Sequence, residues 1–341
     1  MSKLKEFFGG GGDITEAVKR FRDKIDLIAQ QVGEAVKTSK KAEASANRFS
    51  NPNMLINGDM AIWQRGNKGV DGYSADRWLI TGSTAWSRNA PDSKTLPTHG
   101  NAGIRNSLSI SGGAKPVVLR QIIENGIDMI EGRPVAFSFW LFGTPDLVGK
   151  KVSADVCDQP IGEITVKPSW NRYELKGAMG DLTGRRKFFD SGASWVDINL
   201  PVVGKQTTFD ISFIKLEVLA RIEDSATPFI PDNHAINLAK CQRFYQKGFA
   251  RGFNSDSSTN TKDGRYVGIN VIFPNTMFKQ PTIRFGSNEN YAGDVTCAGG
   301  VRKINTGGAG PNPSGFYIDA VTQTGGGGTW SAIFYDANAE I

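Results

Sequence analysis

Cysteine and histidine are scarce in this sequence of 341 residues, which contains three Cys and two His. Cys157, Cys241 and Cys297 are far apart and odd in number, so they predict neither a disulfide framework nor a metal site. Neither His99 nor His234 has a Cys or another His at ligand spacing, which argues against zinc. We therefore expect no cofactor.

Long apolar runs are also missing. No stretch approaches the roughly 18 apolar residues that a membrane-spanning helix needs. The first residues lack the apolar region of a secretory signal. The sequence therefore predicts neither membrane insertion nor secretion.

The sequence has few signs of catalysis. It lacks the G-x-S-x-G of a hydrolase elbow. Its glycine runs at 9–12, 307–310 and 325–328 do not complete G-x-G-x-x-G, and none carries the Lys-Ser/Thr of a P-loop. A carboxylate pair for glycoside hydrolysis stays open, because its members can be remote in sequence. We expect a protein that is not an enzyme.

The net charge of +6 invites a nucleic-acid interpretation, but its distribution argues against one. Residues 1–50 hold ten Lys/Arg and seven Asp/Glu, and the remaining residues are close to balanced. Basic residues on a helix face are usually solvated. Since no dense basic cluster follows, we expect no nucleic-acid partner.

A heptad pattern is present between residues 14 and 50. Apolar or small residues recur at alternating steps of four and three: Ile14, Val18, Phe21, Ile25, Ile28, Val32, Ala35, Ser39, Ala42, Ala46 and Phe49. A seam this narrow suits a partner helix better than a broad core. Ile and Val at its first positions shift the preference from two strands toward three.

We predict that residues 14–50 form a parallel homotrimeric coiled coil, held mainly by its first six seam residues. The alternative is one amphipathic helix docked on its own globular domain. The Ala and Ser layers of the second half bury little, so that half would be thin. The C-terminal part is expected to trimerise as well.

The preceding segment, residues 1–13, ends in Phe7-Phe8 and four glycines. Glycine is unrestricted in φ, so Gly9–Gly12 predict a flexible joint. Two Phe before such a joint are typical of a docking peptide. The alternative is a tail without a partner.

From residue 51 onward the pattern predicts an antiparallel β fold without crossover helices. Val135, Phe137, Phe139 and Leu141 alternate with Ala136, Ser138, Trp140 and Phe142, so this strand is apolar on both faces. We predict a mainly β chain, with a sandwich or jelly roll over 51–232, a linker helix over 233–248 and a smaller β domain over 249–341.

The seven Trp and seven Tyr predict a binding surface. Sugar rings stack on aromatic planes, while polar side chains bind their hydroxyls. The glycan-binding candidates lie outside the clearest core positions: Tyr73, Trp86, Trp170 and Tyr173. For each of them ordinary packing is the alternative. Trp63, Trp78 and Trp140 are expected in the core.

Several short motifs occur together in the remainder of the chain. They are Met54-Leu55-Ile56-Asn57-Gly58-Asp59-Met60, Trp63-Gln64-Arg65-Gly66, Tyr73-Ser74-Ala75-Asp76-Arg77-Trp78, Leu119-Arg120-Gln121-Ile122-Ile123-Glu124, Phe137-Ser138-Phe139-Trp140, Leu216-Glu217, Ala226-Thr227-Pro228-Phe229, Leu238-Ala239-Lys240-Cys241-Gln242-Arg243-Phe244-Tyr245 and Asp336-Ala337-Asn338-Ala339-Glu340-Ile341. This combination resembles bacteriophage tail-fibre and tailspike-like proteins.

The resemblance implies a carbohydrate-binding-module-like jelly roll followed by a small trimeric β tip. It also implies a place in the virion, on the phage tail, after synthesis in the host cytoplasm. The matched motifs look structural. In related jelly rolls the N-G-D segment lies near a structural calcium, so Asp59 is a metal candidate and otherwise a turn residue.

We therefore expect a tail or baseplate fibre. Its partners would be two further copies of itself, other tail or baseplate proteins, and host surface polysaccharide. One alternative is a depolymerase that cleaves that polysaccharide, although no β-helix repeat is present. Another is a purely structural neck or head fibre that binds no sugar.

Overall fold

The computed structural model describes Lys19 and residues 22–34, 53–83, 85–89, 103–113, 115–185, 192–204, 207–254, 266–297, 300–322 and 330–340. The chain divides into two compact units, Met1–Pro52 and Asn53–Ile341. No helix in the described part is long and apolar enough to cross a membrane.

In the first unit, residues 22–34 are helical and exposed throughout. The described part of the predicted seam comprises Ile25, Ile28 and Val32, whose exposed fractions are 51%, 58% and 57%. Three large apolar side chains on one helical stripe are thus in solvent in the single chain. Ile14, Val18 and Phe21, like Phe7 and Phe8, lie outside the described residues.

The second unit is built from antiparallel β-strands, as the alternating pattern predicts. The strands described are β1 (Lys68–Gly69), β2 (Gly72–Tyr73), β3 (Leu79–Thr81), β4 (Ala85–Asn89), β5 (Ser107–Ser111), β6 (Val117–Ile123), β7 (Pro134–Gly143), β8 (Lys151–Val156), β9 (Gln159–Thr165), β10 (Ser169–Ala178), β11 (Ser194–Leu200), β12 (Thr208–Val218), β13 (Tyr245–Asn254), β14 (Tyr266–Ile272), β15 (Thr282–Gly286), β16 (Asp294–Cys297), β17 (Gly300–Asn312), β18 (Gly315–Thr322) and β19 (Trp330–Asn338).

Two six-stranded sheets form the larger part. The first sheet has the order β1-β4-β5-β12-β7-β10, and the second has the order β2-β3-β6-β11-β8-β9. Side chains of both sheets share one core, with Phe137 and Phe139 from the first sheet and Leu119 and Ile198 from the second. The two sheets therefore form a sandwich, whose inner faces are apolar because alternate residues of each strand point inward.

A bulge in β12 interrupts the alternation of its side chains. Phe209 and Ile211 are fully buried in the core, as alternation predicts, but the register shifts between Ser212 and Lys215. Phe213 has a φ of 51° and stacks on Phe229 outside the core, with ring centroids 4.6 Å apart. The extra residue of a bulge reverses which side chains point inward.

The third sheet holds the C-terminal strands and has its own core. Its order is β13-β14-β18-β17-β16-β19-β15, and an additional β13–β19 pairing closes six of the strands into a ring. Val271, Phe316 and Tyr335 are among the side chains that pack within it. All three sheets belong to the single compact unit Asn53–Ile341.

The connecting helix is shorter than the predicted 233–248 segment. It spans His234–Gln242, and the Asn233 side chain caps it by accepting a hydrogen bond from Ala235 N at 2.9 Å. Strand β13, which belongs to the third sheet, begins at Tyr245. The predicted linker therefore included the start of a strand.

Candidate functional site

The outer face of the first sheet carries a row of six side chains at one register. Pairing places Lys68 opposite Ser87, Ser87 opposite Ser109, and Ser109 opposite Asp210. Asp210 in turn lies opposite Phe142, and Phe142 lies opposite Trp170. We call these six residues the outer row. Its neighbours along the strands, such as Leu141 and Ile211, point into the core, so the row faces away from it.

Aromatic side chains form one end of this face. The Phe142 and Trp170 ring centroids lie 5.7 Å apart with a tilt of 54°. Trp140 and Phe142 are half-buried, whereas Trp170 is 7% exposed and supports them from the edge strand. Both rings pack against a cluster that includes Ile104 and Phe213, so β7 presents two half-buried rings next to the polar half of the row.

Asp210 lies where the aromatic and polar halves meet. The side chains of Ser109 and Asn89 hydrogen-bond to its carboxylate, and burial raises the pKa of this carboxyl. Its Oδ1 atom is buried and has no hydrogen-bond partner among the described residues. A half-buried carboxylate at this place gives the row a negative charge that a cationic group of a ligand would stabilise.

The remainder of the outer face is covered by the chain itself. Lys215 and Glu217, both buried, form a pair at 3.0 Å. Glu217 accepts hydrogen bonds from Thr227 N at 2.5 Å and Thr227 Oγ1 at 2.8 Å. Arg172 donates to Ala226 O at 3.0 Å. The segment that follows β12 is thereby fixed over this part of the sheet. Within the outer row, exposure decreases from Lys68 and Ser87 at one end to the buried Trp170 at the other.

Of the predicted glycan-binding residues, Trp170 alone belongs to this row. Trp86 and Tyr173 are 6% exposed and lie in the sandwich core. Trp86 packs 6.0 Å from Trp63, and Tyr173 packs 5.8 Å from Phe139. Because strand alternation turns these two rings inward, they do not present a stacking face to solvent in this structure.

Tyr73 lies elsewhere, beside a buried cluster where the sandwich meets the third sheet. The Arg65 guanidinium lies 4.7 Å from the Tyr73 ring centroid and 3.8 Å from that of Tyr245. Burial raises the pKa of Tyr73. Its ring is therefore engaged by a cation from its own chain rather than presented as a sugar platform.

The same buried cluster is organised around Glu340, and we call Arg65, Asp76, Arg77, Tyr245 and Glu340 the junction cluster. Glu340 pairs with Arg77 and, at 3.1 Å, with Arg65. The Arg77 guanidinium lies 3.5 Å over the Phe244 ring, and burial lowers its pKa to about 10. The arginines of the sandwich thus bind the segment after β19.

The motifs that resemble phage fibres converge at this cluster and around it. Gln64 donates to Asp76 Oδ2 at 2.5 Å and to Tyr245 O at 2.9 Å, which links three of the motifs. Arg243, from the same motif as Tyr245, pairs with Glu124 at 2.9 Å, which adds a fourth motif. The motifs joined by these bonds therefore serve intramolecular contacts.

Asp59 belongs to the N-G-D turn, where the structure gives it hydrogen-bonding contacts. Asn237 Nδ2 donates to Asp59 Oδ1 at 3.0 Å, and burial raises the pKa of Asp59. Gly58 is required beside it, because a Cβ would lie 2.1 Å from the carbonyl oxygen of Ile214. Asp59 is thus part of a buried turn packed against the β12 bulge.

Three carboxylates lie close enough to share an ion, but Asp59 is not among them. Within the described ranges this group comprises Asp155, Asp158 and Asp197. Arg120 Nε donates to Asp197 at 2.6 Å, Asn199 donates to Asp155 at 2.7 Å, and Arg185 pairs with Asp158 at 2.9 Å. Asp197 and Asp158 thus each have a cationic partner, whereas Asp155 accepts a hydrogen bond from a neutral amide.

Sequence reasoning missed Phe142 and Asp210 and placed Trp140 in the core. Trp78 is fully buried, as predicted, and Trp63 packs against the core, but Trp140 lies on the outer face. A signal was available in β7, where both alternating faces are apolar. The second of these faces, which includes Trp140 and Phe142, is the outer one.

No protein-family model matches the chain. No curated protein matches it either.

Solved structures are similar at the level of the β fold. The enzymatically active domain of tailspike protein 4 from bacteriophage CBA120 matches with 13% identity over 49% of this chain and 22% of that one, with a TM-score of 0.31. TmCBM61 in complex with β-1,4-galactotriose matches with 14% identity over 49% and 99%, with a TM-score of 0.32. The Stig cyclase Fisc from Fischerella sp. TAU matches with 11% identity over 50% and 98%, with a TM-score of 0.34. These likenesses concern the fold alone and assign no function.

Proposed function

We propose that this chain is a homotrimeric fibre of a phage tail or baseplate that binds host-surface glycan through the outer row. The observation that carries the proposal is the outer row with its neighbour Trp140, where the half-buried rings of Phe142 and Trp140 adjoin the half-buried carboxylate of Asp210. Rings stack on the apolar face of a sugar, and carboxylates and hydroxyls bind its hydroxyl groups. The fibre assignment rests on the motifs in the sequence.

Replacing Trp140 and Phe142 together with alanine is expected to abolish glycan binding. Each lost stacking surface lowers affinity by roughly tenfold or more. Binding is measured on a glycan array and by titration with the best ligand, after circular dichroism has shown that the variant is folded.

The matched control is Tyr317→Ala, because Tyr317 is an aromatic residue of the third sheet that is 54% exposed. This control is expected to bind as the wild type does. Equal loss in the control, or full binding by the double variant, would show that the outer row is not the site.

The trimer is proposed from the exposed seam of the first unit. An isolated helix of about 13 residues is marginally stable in water. Ile25, Ile28 and Val32 would be removed from water by two parallel copies of the same helix. The Phe7-Phe8 segment would then be present in three copies for docking to other virion proteins.

Replacing Ile25 and Ile28 with aspartate is expected to weaken the trimer, because charged side chains would face one another in the seam. Sedimentation velocity over a concentration series measures the effect. The control is Leu27→Asp, since Leu27 is 54% exposed but lies outside the heptad seam. A monomeric wild type, or equal dissociation of the control, would rule out this seam.

The proposed mechanism is avidity without catalysis. Three weak outer rows on one fibre, and several fibres on one particle, raise apparent affinity by ~10²–10⁴ per linkage. Incubation of the protein with host polysaccharide tests whether the protein cleaves it. Chains of unchanged length are expected, and shortened chains would identify a depolymerase instead.

A further inference from the structure

Asp210 is the charged group in the middle of the outer row. Oδ1 is buried without a hydrogen-bond partner among the described residues, while Ser109 and Asn89 hydrogen-bond to the carboxylate. An unmade hydrogen bond at a buried acceptor is costly, and the cost is larger for a charged group. Asp210 therefore places a half-buried negative charge in the outer row, and a cationic group on a ligand would stabilise it.

The cations near this carboxylate do not neutralise it. Arg172 lies beside Trp170 on β10, but it pairs with Glu174 at 3.2 Å and donates to Ala226 O at 3.0 Å. Lys68 ends the row three strands away from Asp210. At the spacing of strands in a sheet this is about 14 Å, beyond the Debye length at physiological salt. The centre of the face is thus negative.

The neighbours of Asp210 in the row offer hydroxyl groups and rings. Ser109 lies on one side and Phe142 on the other. A sugar ring that stacks on Phe142 brings its equatorial substituents within reach of Asp210, since cross-strand neighbours lie about 5 Å apart. Asp210 would therefore contact the substituent that the sugar carries on its side of the ring.

We propose that Asp210 determines ligand class, so that the outer row accepts neutral and amino sugars and rejects acidic ones. This inference rests on the proposed glycan-binding function. The ammonium of an amino sugar is attracted to the Asp210 carboxylate and the hydroxyls of a neutral sugar are accommodated beside it, whereas a uronic or sialic acid would place a second carboxylate there. Opposed like charges are a common means of rejecting a wrong partner.

The test compares the wild type with Asp210→Asn on an array of neutral, amino and uronic-acid oligosaccharides. Asparagine keeps the shape and one acceptor oxygen but removes the charge. We expect the wild type to bind neutral and amino sugars and to bind acidic ones at least roughly tenfold more weakly. In the variant, acidic sugars should gain and amino sugars should lose roughly tenfold or more, while neutral sugars change little.

The control variant is Asp146→Asn, which removes one exposed carboxylate in the loop between β7 and β8 and should leave the profile unchanged. A wild type that prefers acidic sugars, or a D210N profile equal to that of the wild type, would overturn the role of Asp210. In either case, binding that still depends on Trp140 and Phe142 leaves the proposed function intact. Wild-type binding to no sugar class overturns both.

Discussion

Replacing Glu340 with alanine is expected to lower the free energy of unfolding by about 3–5 kcal/mol, the range for removing one partner of a buried ion pair. Arg77 and Glu340 have side-chain exposures of 2% and 4%. Without Glu340, Arg77 would keep a charge in the junction cluster without its partner, because even a pKa of about 10 leaves it protonated at neutral pH. Denaturant unfolding followed by tryptophan fluorescence measures the change.

Two variants define what the Glu340 result means. Glu340→Gln keeps acceptor capacity and removes the charge, so its loss should be intermediate. Glu163→Ala removes a carboxylate whose partner Lys151 is exposed, and it should leave the unfolding midpoint unchanged. If Glu340→Ala unfolds at the same midpoint as Glu163→Ala, the junction cluster does not hold the sandwich to the third sheet.

Replacing Glu217 with alanine is expected to have a comparable effect, again about 3–5 kcal/mol. Lys215 would remain buried with hydrogen bonds to uncharged groups, among them Thr227 O at 3.3 Å. Glu217 also fixes Thr227 through its backbone N and its hydroxyl group. The variant would therefore loosen the segment that covers the outer face of the first sheet. Thermal and denaturant unfolding measure the loss.

The double replacement Lys215→Met with Glu217→Leu is the informative comparison, because an apolar pair of similar volume often restores or exceeds the stability of a buried ion pair. We expect it to unfold near the wild type. A double variant no more stable than Glu217→Ala would mean that the contact with Thr227, and not the buried charge, decides stability here.

The stability deficit of Glu217→Ala should also depend on pH. Burial lowers the pKa of Lys215 below its ordinary value of 10.5. Between the folded and the unfolded pKa the unfolded chain binds more protons, so stability rises with pH in that interval. Glu217 opposes this lowering in the wild type, so the Lys215 pKa falls further in the variant and the deficit should shrink as pH rises toward 10.5. A deficit that is constant with pH would contradict a buried ammonium as its cause.

Strand positions were the most predictable part of the fold. Val135 to Phe142 alternate in β7, and Val267 to Phe273 alternate along β14 and the residue after it, because side chains on a strand have a period of two. The predicted start of the connecting helix at residue 233 depends on similarly local chemistry, since the Asn233 side chain accepts a hydrogen bond from the backbone N–H of Ala235. The end of that helix could not be predicted from local sequence, because β13 begins soon after it, where Tyr245 pairs with the distant Asn338.

The candidate site was less predictable, because it is made by pairing between distant strands. Asp210 and Phe142 are neighbours because of the register between β12 and β7, and the sequence of neither strand alone predicts this pairing. The bulge after Ser212 also turned Phe213 outward, although the sequence on its own reads as continuous alternation. Counting aromatic residues therefore selected Trp86 and Tyr173, which the sheet turns into the core.

The sequence by itself determined the mainly β class, the heptad seam, most strands and the set of motifs, since each depends on local periodicity or on short-range composition. Only the tertiary structure decided that the motif residues Arg65, Arg77 and Glu340 meet in one buried cluster. It also decided which face of the first sheet stays open. Both results depend on strand register, which joins residues far apart in the chain and is fixed by packing of the whole sandwich.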